Sequence, residues 1–191
     1  ISEIFILEQD IHLFPIEEVY FPNSQKLYSE EGMMAKNLDA PYKPGSRVGY
    51  GVKVKPVMET LDLVITGAEW GKGKRKGWLS SFNIACVDEC GNILEIGKVG
   101  TGIKELETEE GVTFAQLTDL LKPLILSEKG VRVIVKPEIV VEVNYEEIQK
   151  SPTYNSGYAL RFPRMIQIRQ DKPVNESSGL NLVEQLYAGQ R

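Results

Sequence analysis

The sequence predicts a mainly β domain with one helix, preceded by the tail of a separate domain. Three observations predict it. Apolar and polar residues alternate in short runs between residues 61 and 168. One stretch beginning at Phe114 switches to helical spacing. Gly, Pro and Asn fall between the runs, where turns are needed.

Leu61, Leu63 and Ile65 alternate with Thr60, Asp62 and Thr66, the period of a half-buried strand. Trp78, Ser80, Phe82, Ile84 and Cys86 repeat that period. Cys90-Gly91-Asn92 reads as a turn, and Ile93, Leu94 and Ile96 follow as a third strand. Phe114, Leu117, Leu121 and Leu124 then line one face of a helix. Thr113 and Gln116 have capping-box spacing at its start, and Pro123 closes its end. Val131, Val133 and Val135 alternate again. After Pro137 the period resumes at Ile139, Val141, Val143 and Tyr145, and a last apolar run covers Met165, Ile166 and Ile168. Three strands, a helix, then two or three strands match a small Greek-key barrel of the OB type. An SH3-like barrel or a small sandwich lacks such a capped helix. Residues 1–55 form a first segment, 56–172 the barrel, and 173–191 a polar linker with a short helical pattern from Leu180 to Tyr187.

Composition excludes several classes. No run approaches 18 apolar residues, so no membrane-spanning helix is expected. The two cysteines, Cys86 and Cys90, rule out a disulfide scaffold and a four-cysteine zinc site. The single histidine, His12, leaves every histidine-based triad dependent on one residue. The net charge is -5, so contact with nucleic acid has to come from local patches. The chain begins with Ile, shows no secretory leader, and is expected to be a piece of a longer protein.

Four clusters can carry chemistry. Lys72, Lys74, Arg75 and Lys76 sit in a Gly-punctuated loop between two predicted strands, flanked by Trp70 and Trp78 that can pack or stack. Such cations suit a phosphate backbone. Arg161-Phe162-Pro163-Arg164, with Arg169 and Lys172, suits a polyanion such as a triphosphate or DNA. In Glu30-Glu31-Gly32-Met33-Met34-Ala35-Lys36 a carboxylate precedes a buried strand, where it can hold a hard cation such as Mg2+. Lys53 and Lys55, two apart on a strand, point to one face, and with Arg47 nearby a phosphate fits between them. A solvated loop, a charged edge strand and an ordinary turn are the plainer alternatives, and each cluster alone leaves them open.

Together the strings resemble the C-terminal part of an ATP-dependent DNA ligase of the archaeal and eukaryotic type. Glu31-Gly32-Met33-Met34-Ala35-Lys36 resembles nucleotidyltransferase motif IV. Ala40 to Arg47 and Lys53-Val54-Lys55 resemble the approach to motif V and the motif itself. Leu61 to Ile65 with Gly67-Ala68-Glu69-Trp70-Gly71 resembles the first OB strand. Gly97 to Gly102 is similar to a turn typical of these ligases, and Glu146 to Pro152 is also characteristic. Ala159 to Arg164, with Asp171-Lys172, resembles motif VI.

The resemblance implies that residues 1–55 are the tail of a nucleotidyltransferase (adenylation) domain. It implies ATP and Mg2+ as cofactors and nicked double-stranded DNA as substrate. Glu31 would assist the metal, and Arg47 and Lys53 would contact the nucleotide. Lys53 and Lys55 would stabilise charge on the α-phosphate. Arg161 and Arg164 would orient pyrophosphate, while Lys72, Lys74, Arg75, Lys76 and Arg169 would meet DNA. The hinge would lie after Lys55. Partners implied are the N-terminal DNA-binding and adenylation domains and a sliding clamp, although no clamp-binding string is found. The expected compartment is the cytoplasm for an archaeal protein and the nucleus for a eukaryotic one.

Two departures stand out. No Lys-x-Asp-Gly, which would carry the nucleophile, occurs in the 191 residues, so the chain alone is expected to be inactive. Gly51 stands where the family's strand usually carries Trp. The alternatives are a non-enzymatic nucleic-acid-binding OB module, an RNA-capping-type nucleotidyltransferase and a protein-interaction barrel.

Overall fold

The structure, a computed structural model, describes residues 33–36, 41, 51–54, 59–106 and 111–190. It divides into two units, Ile1–Val57 and Met58–Arg191. In the first, strands β1 (Met33–Lys36) and β2 (Gly51–Val54) pair antiparallel, with Met34 opposite Lys53 and Lys36 opposite Gly51.

The second unit is built around β3 (Leu61–Trp70). The alternating Leu61, Leu63 and Ile65 are fully buried, which fixes the register of every neighbour. β4 (Leu79–Val87) pairs with one side of β3, and β5 (Ile93–Val99) pairs with β4. On its other side β3 meets two strands in succession. Leu61–Val64 face β8 (Val140–Asn144), and Gly67–Glu69 face β7 (Arg132–Val135). β11 (Arg164–Ile168) pairs with β8. The ring closes where the Met165 N–H donates to the Thr101 carbonyl (2.9 Å) and the Thr101 hydroxyl donates to the Pro163 carbonyl (2.7 Å). The circuit β3-β4-β5-β11-β8-β3 is the five-stranded Greek-key order of an OB barrel.

Helix α1 (Phe114–Leu121) lies between the third and fourth barrel strands, as that topology requires. Thr113 caps it, its hydroxyl accepting from the Gln116 N–H at 3.1 Å, a contact typically worth about 1 kcal/mol. Phe114, Leu117 and Leu121 are buried. The buried Thr118 hydroxyl donates to the Phe114 carbonyl and accepts from the Leu79 N–H, tying the helix to the start of β4. Pro123 sits in a 3-10 turn, Lys122–Leu124, that ends the helix.

Three departures from the sequence pattern have physical causes. β6 (Ile125–Lys129) is hairpinned with β7 through Gly130, but only Ile125 is even partly buried, so no alternation betrays it. β9 (Glu147–Lys150) and β10 (Tyr158–Arg161) pair as an extra hairpin inserted between barrel strands β8 and β11. Ile166 is the bulged residue between Met165 and Gln167, so it faces solvent although its neighbours continue the strand.

Residues 173–190 are docked on the barrel. Ser178 donates its N–H to the Asp62 carbonyl (2.7 Å), and its hydroxyl accepts from the Asp62 N–H (2.9 Å). Helix α2 (Leu180–Gly189) buries Val183. The Gln190 side-chain amide completes both backbone groups of Ile148 on β9, at 2.7 and 3.0 Å.

Candidate nucleic-acid and nucleotide interface

Two loops of an OB barrel are its usual ligand-binding loops, those joining strands one to two and four to five. Here they are the basic loop between β3 and β4 and the long excursion between β8 and β11, which carries Arg161 and ends where β11 begins at Arg164.

The basic loop is folded tightly. Gly71 donates to the Trp78 carbonyl (2.8 Å), and a Cβ at Gly71 would stand 2.4 Å from the Arg75 carbonyl oxygen, so only glycine fits. Lys72, Lys74 and Lys76 are exposed. Arg75 is not free like them. Its Nε pairs with Glu105 at 2.9 Å, and its guanidinium lies 4.5 Å over the ring of buried Phe114. Trp78 stacks on the same ring, with centroids 6.4 Å apart. Trp70 and Trp78 both pack against the core, which decides between packing and base stacking in favour of packing.

The motif VI arginines stand at the corner of a bent ribbon. β8 runs into β9 and β10 into β11, with Glu147 opposite Arg161 and Asn144 opposite Arg164. At the bend Phe162 takes φ +49°, the left-handed region that a bulky residue rarely adopts. That backbone turns Arg161 and Arg164 outward on either side of an exposed ring. Arg161 pairs with Glu147 at 3.2 Å and lies 5.2 Å from the Phe162 ring. Arg164 is exposed and makes no ion pair among the described residues. Gly102 (φ +84°) lies against this corner, where a Cβ would come 2.1 Å from the Met165 carbonyl oxygen. The segment Thr101–Glu105 therefore touches motif VI at one end and, through Glu105, the basic loop at the other.

Arg169 and Lys172, expected to join the cationic surface, are turned inward. Both pair with the carboxylate of Asp62, Arg169 at 2.9 and 3.1 Å, and Arg169 also pairs with Asp171 at 2.8 Å. Only a fifth of the Arg169 side chain is exposed. The Arg169 hydrogen bond is the main reason the Asp171 carboxyl is lowered to about 2. Spacing gave no hint of Asp62 or Glu105, because their partners lie 107 and 30 residues away.

Lys53 lies in β2 opposite Met34. Glu31, Arg47 and Lys55 lie outside the described residues. Among the described residues no three His, Cys, Asp or Glu side chains are placed to hold a metal ion. Cys86 is buried and its thiol is pushed up to about 11 by that burial, so it contributes no nucleophile. No helix among the described residues is long and apolar enough to cross a membrane.

Comparison with known proteins agrees with this geometry. A family model described as the ATP dependent DNA ligase C terminal region matches residues 75–172, from the basic loop to Lys172. A DNA ligase of Nanoarchaeum equitans is 60% identical over 163 residues, covering 84% of this chain and 29% of that protein. One from Archaeoglobus fulgidus is 47% identical, covering 97% of this chain and 33% of that protein. The crystal structure of the ligase domain of M. tuberculosis LigD superposes with a TM-score of 0.50 at 30% identity, covering 77% of this chain and 47% of that one. The chain spans about a third or less of the curated relatives it matches. Strands β4 to β11 and the Phe162 corner fall within the matched region, and the chain belongs to the family of ATP-dependent DNA ligase C-terminal regions.

Proposed function

We propose that this chain is the closing and DNA-clamping portion of an archaeal-type ATP-dependent DNA ligase. In that reaction a lysine outside these 191 residues attacks the α-phosphorus of ATP and releases pyrophosphate. The AMP passes to the 5′-phosphate of a nick, and the 3′-hydroxyl attacks that phosphate and expels AMP. Mg2+ supplies charge neutralisation on the phosphates, with Glu31 as the residue to hold it. Lys53 and Lys55, with Arg47, meet the nucleotide from the first unit. Arg161 and Arg164 engage its outer phosphates when the barrel closes, and Lys72, Lys74 and Lys76 then hold the duplex backbone. Arg75 holds the basic loop against Phe114, and Arg169 braces the barrel through Asp62. Such an enzyme serves replication, repair and recombination, with a sliding clamp as a partner, and acts in the archaeal cytoplasm.

The observation that carries this reading is the corner at Phe162. It presents two outward arginines on the same barrel as an exposed triple-lysine loop. The matched family and relatives are DNA ligases, which favours this over the capping-type and non-enzymatic alternatives.

The test is binding of this chain to nicked and intact duplex across a salt series. The expected result is preference for the nick, steep weakening with salt, and a drop in the Arg161→Ala/Arg164→Ala variant. Absence of duplex binding at low salt would overturn the reading.

A further inference from the structure

The ligase reading gives no role to a side-chain cluster where β9, β10 and α2 meet. Lys150, the last residue of β9, stands directly opposite Tyr158, the first of β10. Directly opposed residues of an antiparallel ladder share a face. The Lys150 Nζ donates to the Tyr158 hydroxyl at 2.7 Å. It also lies 3.9 Å from the centroid of the Tyr158 ring and 5.4 Å from that of Tyr187 on α2. The two rings meet edge to face, with centroids 5.3 Å apart and planes at 65°. The ammonium thus occupies the angle between two aromatic walls, within the range of cation–π attraction to both. The Tyr158 hydroxyl in turn donates to Glu184 at 3.5 Å. Glu184 and Tyr187 are three residues apart on α2 and so lie on one side of that helix.

The walls are held by contacts that do not involve the lysine. Tyr158 is buried. The Ser156 hydroxyl donates to the Tyr158 carbonyl at 3.0 Å and accepts from its N–H at 3.2 Å. The end of α2 that carries Tyr187 is tied to β9 by the Gln190 amide.

Lys150 also differs from other lysines of the barrel. Lys98, Lys136 and Lys172 pair with the carboxylates of Glu69, Glu138 and Asp62. Each methyl group added to an ammonium removes one N–H donor and keeps the positive charge. In an ion pair that gives up a charge-assisted hydrogen bond. Lys150 makes a single hydrogen bond among the described residues, to Tyr158. Two of its three N–H groups can therefore be replaced by methyl groups without losing a hydrogen bond, and the new C–H surface meets ring faces.

We propose that Lys150 is a site of Nε-methylation, with Tyr158 and Tyr187 as the cage that receives a mono- or dimethylammonium group. The methyl donor is a sulfonium compound, used by a separate methyltransferase. The Nζ, having given its proton to a base of the transferase, attacks the sulfonium methyl carbon. The C–N bond forms as the C–S bond breaks, and the bonding pair leaves on sulfur as a thioether. Lys150 is exposed beside the loop 151–157, and its flexible stem lets Nζ swing out to the transferase with the hairpin intact. The charge of the chain is unchanged. What changes is the grip of α2 on the hairpin that ends in Arg161. The proposal does not depend on the ligase reading.

The test has two parts. Peptide mass spectrometry of the protein purified from its own cells is expected to find one or two methyl groups on Lys150. In vitro, the chain is dimethylated reductively with isotope-labelled formaldehyde and followed by proton–carbon NMR. The Lys150 methyl signal, assigned by its loss in Lys150→Arg, is expected upfield of the common cluster of lysine methyl signals, because the rings shield it. Tyr187→Leu, which keeps an apolar side chain on α2, returns it part of the way. The melting temperature gained on dimethylation is expected to be about 2–4 °C greater for the parent than for Lys150→Arg. A native peptide without methyl groups at Lys150 overturns the modification site. A Lys150 signal inside the common cluster, or no greater gain in the parent than in Lys150→Arg, overturns the cage. None of these readouts uses DNA, so failure here and failure of the ligase reading are separate outcomes.

Discussion

Replacing Gly102 by alanine probes whether one close backbone approach holds the motif VI corner in place. At φ +84° an L residue is strained by about 1–2 kcal/mol. The new Cβ would also lie 2.1 Å from the Met165 carbonyl oxygen, 2.7 Å from Arg164 Cγ and 2.9 Å from the Met165 nitrogen. Two of these three atoms are backbone, so β11 itself has to move, at about 1–3 kcal/mol. The Met165 N–H bond to Thr101 that closes the barrel is stretched or broken, about 1 kcal/mol more. The expected loss is about 3–6 kcal/mol, read by equilibrium urea unfolding followed by circular dichroism. Gly91→Ala is the internal control. Gly91 has φ +82° but open space around it, so it carries the conformational cost alone, about 1–2 kcal/mol. If the Gly102 variant is no less stable than the Gly91 variant, the contact does not clamp the corner and the argument fails.

Asp62→Ala should leave Arg169 and Lys172 facing each other without their shared carboxylate. The loss should be about 2–3 kcal/mol, below the roughly 3–5 kcal/mol of a fully buried pair, since these side chains keep 13 to 30% exposure; adding Lys172→Met should recover part of it, and an unchanged Tm in the single variant would refute the bracing role. Tyr145→Phe should raise stability by about 1 kcal/mol in the same urea assay, because the buried Tyr145 hydroxyl has no hydrogen-bond partner among the described residues; a loss would mean that it has one. Asp171, lowered to about 2 in the folded chain against an ordinary value of about 3.9, contributes stability above pH 4 that disappears as pH falls toward 2. The Tm difference between the parent and Asp171→Asn should therefore close over that window, and a pH-independent difference would remove Asp171 from the account.

The barrel strands were legible where a stretch has one wet and one dry side, as in Leu61-Asp62-Leu63 and Val141-Glu142-Val143. The helix was legible down to its cap at Thr113. β6 was not, since an almost fully exposed edge strand carries no period to read. Nor did the inserted hairpin β9–β10 show itself as strands, its residues being visible only as a family string. For the site, local clusters of cations identified the basic loop and the corner. They could not show which cations are already engaged, because Arg75 and Arg169 are satisfied by carboxylates that only the closed barrel brings near. Engagement is a tertiary property, and a one-dimensional count of charges overstates the free ones.

Asp62 also bears on how this barrel is reached in time. Its backbone and carboxylate are completed by Arg169, Lys172 and Ser178, at separations of 107, 110 and 116 residues. Contacts so distant in sequence form only after large loops have closed, and chains rich in them fold slowly. The first strand of the barrel thus waits with its edge incomplete until the stretch following β11 has arrived. During synthesis the start of β3 therefore stays unpaired on that edge until the stretch carrying Ser178 has emerged.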